Sequence, residues 1–302
     1  GAELPLAMFK FAAVFFTLAS VLFADSPEAQ CGPHALQPKP DFLVAVTSAY
    51  RQVEGGYEIT VKNNERFGVY LDMRMTKLVN LESEAGKSFI LPVAAGAEIV
   101  ATKLRIVNPI AASNFNYTFD NYLGDPKNTR HDPKTEYELP YAAGFSSPVL
   151  QGYKGKFSHN NELNLHALDF GMPRGTPILA ARAGVVIALR SDVTTGGIDP
   201  ALLGTIDSAG NFVMVLHDDG TIGNYYHMRC GSITLKKGDV VQVGDPLGLA
   251  GSTGYSHPDY PHLHFVVRVP DQKNRYGRTT VPTLFRTREG VRLLKEKEAF
   301  EK

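Results

Sequence analysis

The sequence predicts an all-β protein of two domains: an N-terminal β-sandwich-like domain followed by a larger antiparallel β domain. At 302 residues the chain is longer than one typical domain. Short β-prone runs separated by Gly- and Pro-containing turns recur along most of it. Hydrophobic residues at 43% and charged residues at 21% are ordinary globular usage, which argues against a disordered, fibrous or membrane-embedded protein.

The N-terminus has the layout of a secretory signal. Lys10 precedes an apolar run from Phe11 to Phe23, and small and polar residues follow as far as Ala29. The run is too short to span a bilayer comfortably, although a membrane anchor or a buried helix is the alternative. Met8 resembles a natural start, so residues 1–30 are interpreted as a short non-native extension plus the signal. We therefore expect an exported protein, periplasmic or secreted and cell-wall associated, with no stable membrane span after signal cleavage.

The charge and cysteine content constrain the partners and the redox chemistry. Lys plus Arg and Asp plus Glu each number 31, so there is no net field to attract nucleic acid. The chain has 2 cysteines, Cys31 and Cys230. In an exported protein they either form a disulfide or remain two unrelated thiols, and the sequence leaves both possibilities open.

The β-prone runs and the breakers between them predict the domain boundaries. Residues 41–123 form the sandwich-like accessory domain, which has no cluster of His, Cys and acidic residues. The polar segment 124–140 has no apolar period and predicts a linker, in which His131 is solvated. Residues 141–285 form the second β domain. The charged tail 286–302 contains few breakers and predicts a short terminal helix.

The segment PHLHF at 261–265 is the strongest local signal for chemistry. His262 and His264 are two residues apart in a β-prone context, so their side chains share one face of a strand. Two imidazoles on one face can both bind a metal, or one can bind it while the other transfers protons. A His-X-His pair alone is only moderately specific.

Further candidate ligands precede this segment. His159, His166 and Asp169 lie just before a Gly-Thr-Pro turn, and NYYHM places His227 late in a predicted strand. Two imidazoles and a carboxylate would supply the three protein ligands of a catalytic zinc site, whose fourth position is left for water. The chain has no His-Glu-X-X-His motif, whose glutamate would act as the base toward the metal-bound water. A histidine would therefore have to take the proton from that water.

Four blocks taken together resemble the catalytic domain of lysostaphin-type peptidoglycan endopeptidases. In chain order they are DFGMPRGTPILAARAGVV, NYYH, KKGDVVQVGDPLGLAGSTGYS and PHLHF. They lie between Tyr137 and Val267, less than half of the chain. The resemblance implies that residues 141–285 form an antiparallel β-sheet with an open groove and one Zn²⁺ per chain, with Asp169 and His264 as ligands. It also implies that His227 and His262 assist the water activated by the metal.

One departure from the family pattern concerns the first ligand. The commonest pattern places it four residues before the aspartate, where this chain has Leu165, which cannot bind zinc. His159 resembles the first histidine of a branch with a longer loop. If 166 and 169 both lie on a strand, their side chains project to opposite faces, so we favour His159 over His166.

The resemblance predicts the function. We expect a zinc metalloendopeptidase that hydrolyses peptide bonds in bacterial peptidoglycan stems or cross-bridges, with His159, Asp169 and His264 on the metal and His227 and His262 as catalytic residues. The alternative is a catalytically inactive peptidoglycan-binding or regulatory module of the same fold. The sequence does not indicate the bond that is cleaved, the role of the N-terminal domain or the oligomeric state.

Overall fold

The computed structural model describes residues 44–302, except 128, 203–205, 272 and 274–276. Nearly all of the regular structure is β-strand, which confirms the predicted all-β class. The N-terminal strands are β1 (Val46–Val53), β2 (Gly56–Asn63), β3 (Val69–Val79), β4 (Leu81–Ser83), β5 (Ser88–Val93), β6 (Glu98–Ile106) and β7 (Asn114–Tyr122). In the described part of the chain, no helix has the length and apolar character needed to cross a membrane.

The strands of the C-terminal part are more numerous and shorter. They are β8 (Glu136–Glu138), β9 (Ser146–Gln151), β10 (Leu168–Gly171), β11 (Pro177–Leu179), β12 (Gly184–Arg190), β13 (Gly196–Gly197), β14 (Asn211–Leu216), β15 (Ile222–Met228), β16 (Val240–Val241), β17 (Pro246–Leu249), β18 (Gly254–Tyr255), β19 (His262–Pro270), β20 (Arg278–Val281), β21 (Leu284–Thr287), β22 (Gly290–Arg292) and β23 (Ala299–Glu301). Two short 3-10 helices, Pro200–Leu202 and Ile206–Ala209, precede β14.

The N-terminal strands form two antiparallel sheets, as a β-sandwich requires. One has the order β1-β2-β6-β4 and the other the order β5-β3-β7. Along β3, Val69, Leu71 and Met73 are buried while the residues between them are partly exposed, because alternate strand residues point to opposite faces. Ile59 and Val61 of β2 are buried in the same cluster.

The C-terminal part is built on a large sheet of order β16-β12-β14-β15-β19-β10-β9-β23, with β20 beside β19. One face, here called the inner face, carries Val213, Tyr225 and Phe265. Two small sheets, β11-β17 and β22-β21-β8, cover it with side chains such as Ile178 and Phe285. This packing leaves the opposite, outer face to carry the candidate site.

The N-terminal sandwich packs on part of the outer face. Its core side chains belong to one apolar cluster with outer-face residues that include Phe212, Tyr226 and Val266. An ion pair between Glu65 and Lys237, 2.7 Å long and with both side chains 7% exposed, links the two parts. A buried pair of this kind fixes how the two surfaces meet more than it stabilises them, since desolvation offsets much of the attraction.

Two segments differ from the sequence prediction. The end of the predicted linker forms β8, in which Tyr137 is buried, and Leu139 beside it is buried as well, so residues 136–139 belong to the C-terminal core. The tail 286–302 has no helix and instead forms β22 and β23, with β23 pairing with β9. Tertiary packing overrides local propensity at both places: Phe300 of β23 is buried in the C-terminal core.

His217, which lies between β14 and β15, is a buried structural residue. It is 3% exposed, its Nδ1 donates to the Ala183 carbonyl at 2.8 Å, and its Nε2 has no partner among the described residues. Burial lowers the pKa of this imidazole from 6.5 to about 4. Between these pH values the unfolded chain binds a proton at this position and the folded chain does not.

Acidification therefore destabilises the fold through His217. The contribution of neutral His217 to the unfolding free energy is complete above pH 6.5 and is lost as the pH falls toward 4. The reason is that the pKa of His217 is lower in the folded state, so the unfolded state takes up the proton first. We expect wild-type protein to lose about 2–3 kcal/mol more of its unfolding free energy between pH 7 and pH 4.5 than His217→Gln, which can still donate to the carbonyl. Urea unfolding at both pH values measures the difference, and equal losses would remove His217 as the cause.

Candidate metal centre

The pairing of β10 with β19 brings Asp169 and His264 together. They are register partners in this antiparallel pair, with both side chains on the outer face. The His264 Nδ1 lies 2.9 Å from the Asp169 Oδ1, and both residues are buried. Main-chain pairing thus holds a carboxylate and an imidazole in contact at the centre of the sheet.

His159 reaches the same point from the loop between β9 and β10. Its Nδ1 donates to the Gly152 carbonyl at 2.8 Å, which directs Nε2 toward the other two side chains. Nε2 lies 3.2 Å from the Asp169 Oδ1 and 3.3 Å from the His264 Nδ1. One donor atom from each of the three residues lies within 4.8 Å of the others.

These separations suit a metal ion with nitrogen and oxygen ligands. In a tetrahedral site with bonds of about 2.0–2.1 Å, the ligand atoms are about 3.3 Å apart. The three separations of 2.9, 3.2 and 3.3 Å fall close to that edge length. Two imidazoles and one carboxylate are also a donor set that zinc accepts, so the residues fit such an ion without rearrangement of the strands.

The charge states of the three residues also suit a cation. Burial alone would raise the pKa of the Asp169 carboxyl, but His262, His159 and His264 together hold it well below its ordinary value. Burial opposes protonation of His159, yet its hydrogen bond to Asp169 and the carboxylate charge raise its pKa. Burial, aided by repulsion from His159 and His262, lowers the pKa of His264 to about 4 despite its contact with Asp169. The cluster therefore presents an anionic carboxylate and a neutral His264.

His262 lies on the same face of β19, two residues before His264. Its Nδ1 donates to the Tyr260 carbonyl at 2.8 Å. Its Nε2 therefore carries the lone pair in the neutral ring, and lies 3.8 Å from the Asp169 Oδ1. The alternation predicted for the His-X-His pair holds, and His262 borders the cluster without being part of the three-residue group.

His227 reaches the site through an irregularity at the end of β15. Tyr225 belongs to the inner face and Tyr226 to the outer one, so regular alternation would turn His227 inward. Its φ of 64° breaks the alternation, at a cost of about 1–2 kcal/mol for a residue other than glycine. The ring instead lies 4.9 Å from that of His262 and 5.7 Å from that of His264.

Its hydrogen bond and burial fix the tautomer and charge of His227. Nδ1 donates to the Thr253 carbonyl at 2.8 Å, so Nε2 is the acceptor in the neutral ring. Burial, followed by repulsion from His262 and His264, lowers its pKa well below the ordinary value. The ring is therefore a neutral proton acceptor at neutral pH.

His166 lies away from the cluster. Its Nδ1 is 3.1 Å from the Thr280 carbonyl, and its ring packs against Tyr153 at 5.5 Å. The argument from strand alternation does not apply to it, because β10 begins at Leu168 and His166 is in the preceding turn. The turn, and not the alternation, directs its side chain away from Asp169.

Two further histidines of the described residues do not join the site. His131 was expected to be solvated, but its Nε2 is 3.0 Å from the Pro282 carbonyl. The His257 ring packs on the Tyr260 ring at 4.9 Å, and its Nδ1 lies 3.9 Å from the Asp259 carboxylate. The predicted signal, His34 and Cys31 lie outside the described residues, so the Cys31–Cys230 disulfide stays a prediction.

Gln151 is a residue of the site that sequence reasoning missed. Its Nε2 donates to the Asp169 Oδ2 at 3.1 Å and to the Ser158 Oγ at 2.7 Å. Its Oε1 accepts from the main-chain N–H groups of Phe157 and Ser158 at 3.1 and 3.2 Å. One carboxamide thus ties the carboxylate to the loop that carries His159. A single glutamine at the end of a strand carries no sequence signal for this role.

Removing the Gln151 carboxamide should loosen the centre without removing a donor atom. We expect Gln151→Ala to weaken metal affinity by about 10–100-fold, the usual scale for a residue that orients a ligand. Competition with a chelating dye measures the affinity. Gln242→Ala, at an exposed glutamine, is the matched control and should leave the affinity unchanged. An unchanged affinity in Gln151→Ala would show that the strands alone position Asp169.

Comparison with known proteins identifies the C-terminal part. Residues 164–276 match the model of Peptidase family M23. This range contains Asp169, His227, His262 and His264. It begins five residues after His159, which the match therefore does not include. The resemblance to lysostaphin-type peptidases is thereby confirmed for this part of the chain.

Individual relatives match the same part. An uncharacterized metalloprotease of Buchnera aphidicola is 36% identical over 33% of this chain and 22% of its own length. Peptidoglycan DD-endopeptidase ShyA of Vibrio cholerae is 31% identical over 38% of this chain and 22% of its own. The match thus spans about a fifth of each relative. The catalytic domain of lysostaphin from Staphylococcus simulans aligns with 45% of this chain and 87% of that domain, at 25% identity and a TM-score of 0.30.

Proposed function

We propose, from the premise that residues 164–276 are a Peptidase family M23 domain, that this protein is a zinc endopeptidase that hydrolyses peptide bonds in bacterial peptidoglycan. The observation that carries the proposal is the convergence of His159, Asp169 and His264 within 4.8 Å. The names of two relatives, the peptidoglycan DD-endopeptidases ShyA and ShyB of Vibrio cholerae, support the substrate class. Export to the periplasm or the cell wall is part of the same proposal, since the substrate lies there.

His159, Asp169 and His264 would hold one zinc ion. When bound there, zinc supplies a Lewis acid that polarises the scissile carbonyl and makes a water more acidic. Asp169 contributes one negative charge, and the two imidazoles are neutral ligands, so the centre keeps a net positive charge toward the substrate. His159 must lose its proton before it can bind the ion, because its pKa is raised in the metal-free cluster.

His227 and His262 would transfer the protons. Each donates Nδ1–H to a carbonyl, which leaves Nε2 as an acceptor directed into the site. One ring can take a proton from the attacking water at Nε2 and become a donor. A protonated ring can then stabilise the oxyanion of the tetrahedral intermediate and give its proton to the leaving amine. Two imidazole rings side by side divide these tasks between two nitrogens.

Digestion of purified sacculi tests the proposal. Zinc-loaded protein is incubated with sacculi of several cross-link chemistries, and released peptides are identified by mass spectrometry. We expect new amino and carboxyl termini within stems or cross-bridges, absent with Asp169→Ala protein. Zinc-loaded protein that binds the sacculi and releases no peptide from any of them would instead favour an inactive binding module of this fold.

A further inference from the structure

An apolar pocket lies at the edge of the candidate site. It has a volume of about 420 Å³, and apolar side chains form most of its lining, including those of Phe145, Pro148, Leu150, Met172 and Pro261, together with Tyr260. Leu150 is 44% exposed and Tyr260 63% exposed. Exposed apolar side chains that meet in one concavity mark a surface that gains free energy when a ligand covers it.

The pocket is continuous with the site. Along the β10–β19 pair, Asp169 is opposite His264, and the next pair on the same face is Gly171 opposite His262. Gly171 lines the pocket. Tyr260 also lines the pocket, and its carbonyl accepts a hydrogen bond from the His262 Nδ1 at 2.8 Å. A peptide placed over the metal centre therefore has the pocket beside it, two residues along each strand.

Gly171 gives the pocket its shape. A Cβ at this position would lie 3.0 Å from the Pro148 Cγ and 3.1 Å from the Leu150 side chain. The glycine thus lets these two side chains lie directly against the strand. Any other residue would push them outward and fill the space between them.

We propose that this pocket binds an apolar side chain of the peptide substrate, on a residue next to the scissile bond. The proposal rests on the endopeptidase function proposed above and adds a substrate preference to it. Glycine leaves the pocket unfilled and gains nothing from it. Two effects disfavour a carboxylate side chain in the pocket. It would lose its hydrating water among apolar groups, and its charge would be repelled by Asp259 at the rim.

A peptide series measures the preference. Each position of a side-chain-free pentaglycine peptide is changed in turn to Ala, Leu or Glu, in L and D forms, and kcat/KM is determined with the zinc-loaded full chain. Burial of each methyl or methylene group contributes a factor of about four. We expect Ala to exceed Gly by about fourfold and Leu by at least tenfold at one position, and Glu to fall below Gly.

Variants assign the preference to the pocket. Leu150→Glu and Tyr260→Ala, which keeps the carbonyl that holds His262, should lower the ratio of Leu to Gly kcat/KM by about tenfold, with the zinc content still about one per chain. Val291→Glu, at an apolar residue of β22 that is 43% exposed, is the matched control and should keep the ratio.

The possible outcomes separate this inference from the proposed function. Equal kcat/KM for the Gly, Ala and Leu peptides, or an unchanged ratio in Leu150→Glu, overturns the subsite and leaves the endopeptidase standing. If none of these peptides is cleaved, their dissociation constants decide the subsite, and digestion of sacculi alone decides the proposed function. Weaker binding of the Leu peptide to Leu150→Glu than to wild type then supports it, and equal binding overturns it.

Discussion

His159→Ala is expected to abolish stoichiometric zinc binding, whereas His166→Ala should largely retain it. The two histidines lie in the same loop, but only the His159 Nε2 approaches Asp169 and His264, at 3.2 and 3.3 Å. Loss of one of three protein ligands leaves the ion held by two. Elemental analysis of purified protein after dialysis gives the zinc content directly, and we expect about one per chain for wild type.

His166→Ala is a close control because it removes the same ring from the same loop. Its Nδ1 is 3.1 Å from the Thr280 carbonyl, so a modest loss of stability is expected, and unfolding curves of both variants separate that from metal loss. Zinc retained in His159→Ala and lost in His166→Ala would overturn the ligand assignment. It would mean that the loop rearranges when the ion binds and brings His166 to the metal.

His227→Ala and His262→Ala are expected to keep zinc nearly stoichiometric and to lose hydrolysis by roughly 10²–10⁴-fold each. Neither ring belongs to the three-residue group, yet their centroids are 4.9 Å apart beside it. The loss reflects the missing proton acceptor or donor. Rates of peptide release from sacculi, normalised to zinc content, measure it.

The double variant tests whether the two rings act together. Groups that serve one water and one oxyanion behave as a unit, so the double variant should be far less than multiplicatively worse than either single one. Metal loss in His262→Ala with retention in His264→Ala would exchange the two roles. Full activity in both single variants would refute the proposed proton transfer.

Sequence by itself determined the fold class, the family resemblance and the residue types of the site. Period-two alternation is a local property, so the His-X-His pair could be placed on one face of a strand before any fold was known. The turn chemistry that separates the strands is local as well, and it predicted two β domains. The comparison with Peptidase family M23 covers the four blocks on which that resemblance rests.

Tertiary structure alone decided what depends on contacts between distant segments. Gln151 orients Asp169 from 18 positions away, and nothing near it in the sequence indicates this. His227 enters the site only because a positive φ breaks the alternation of β15. The tail forms strands because β9 offers it an edge to pair with and the core a place for Phe300, which its own composition could not reveal. Local patterns fix which face a side chain prefers, whereas register, bulges and edge pairing fix which side chains meet, because these depend on the free energy of the whole packed sheet.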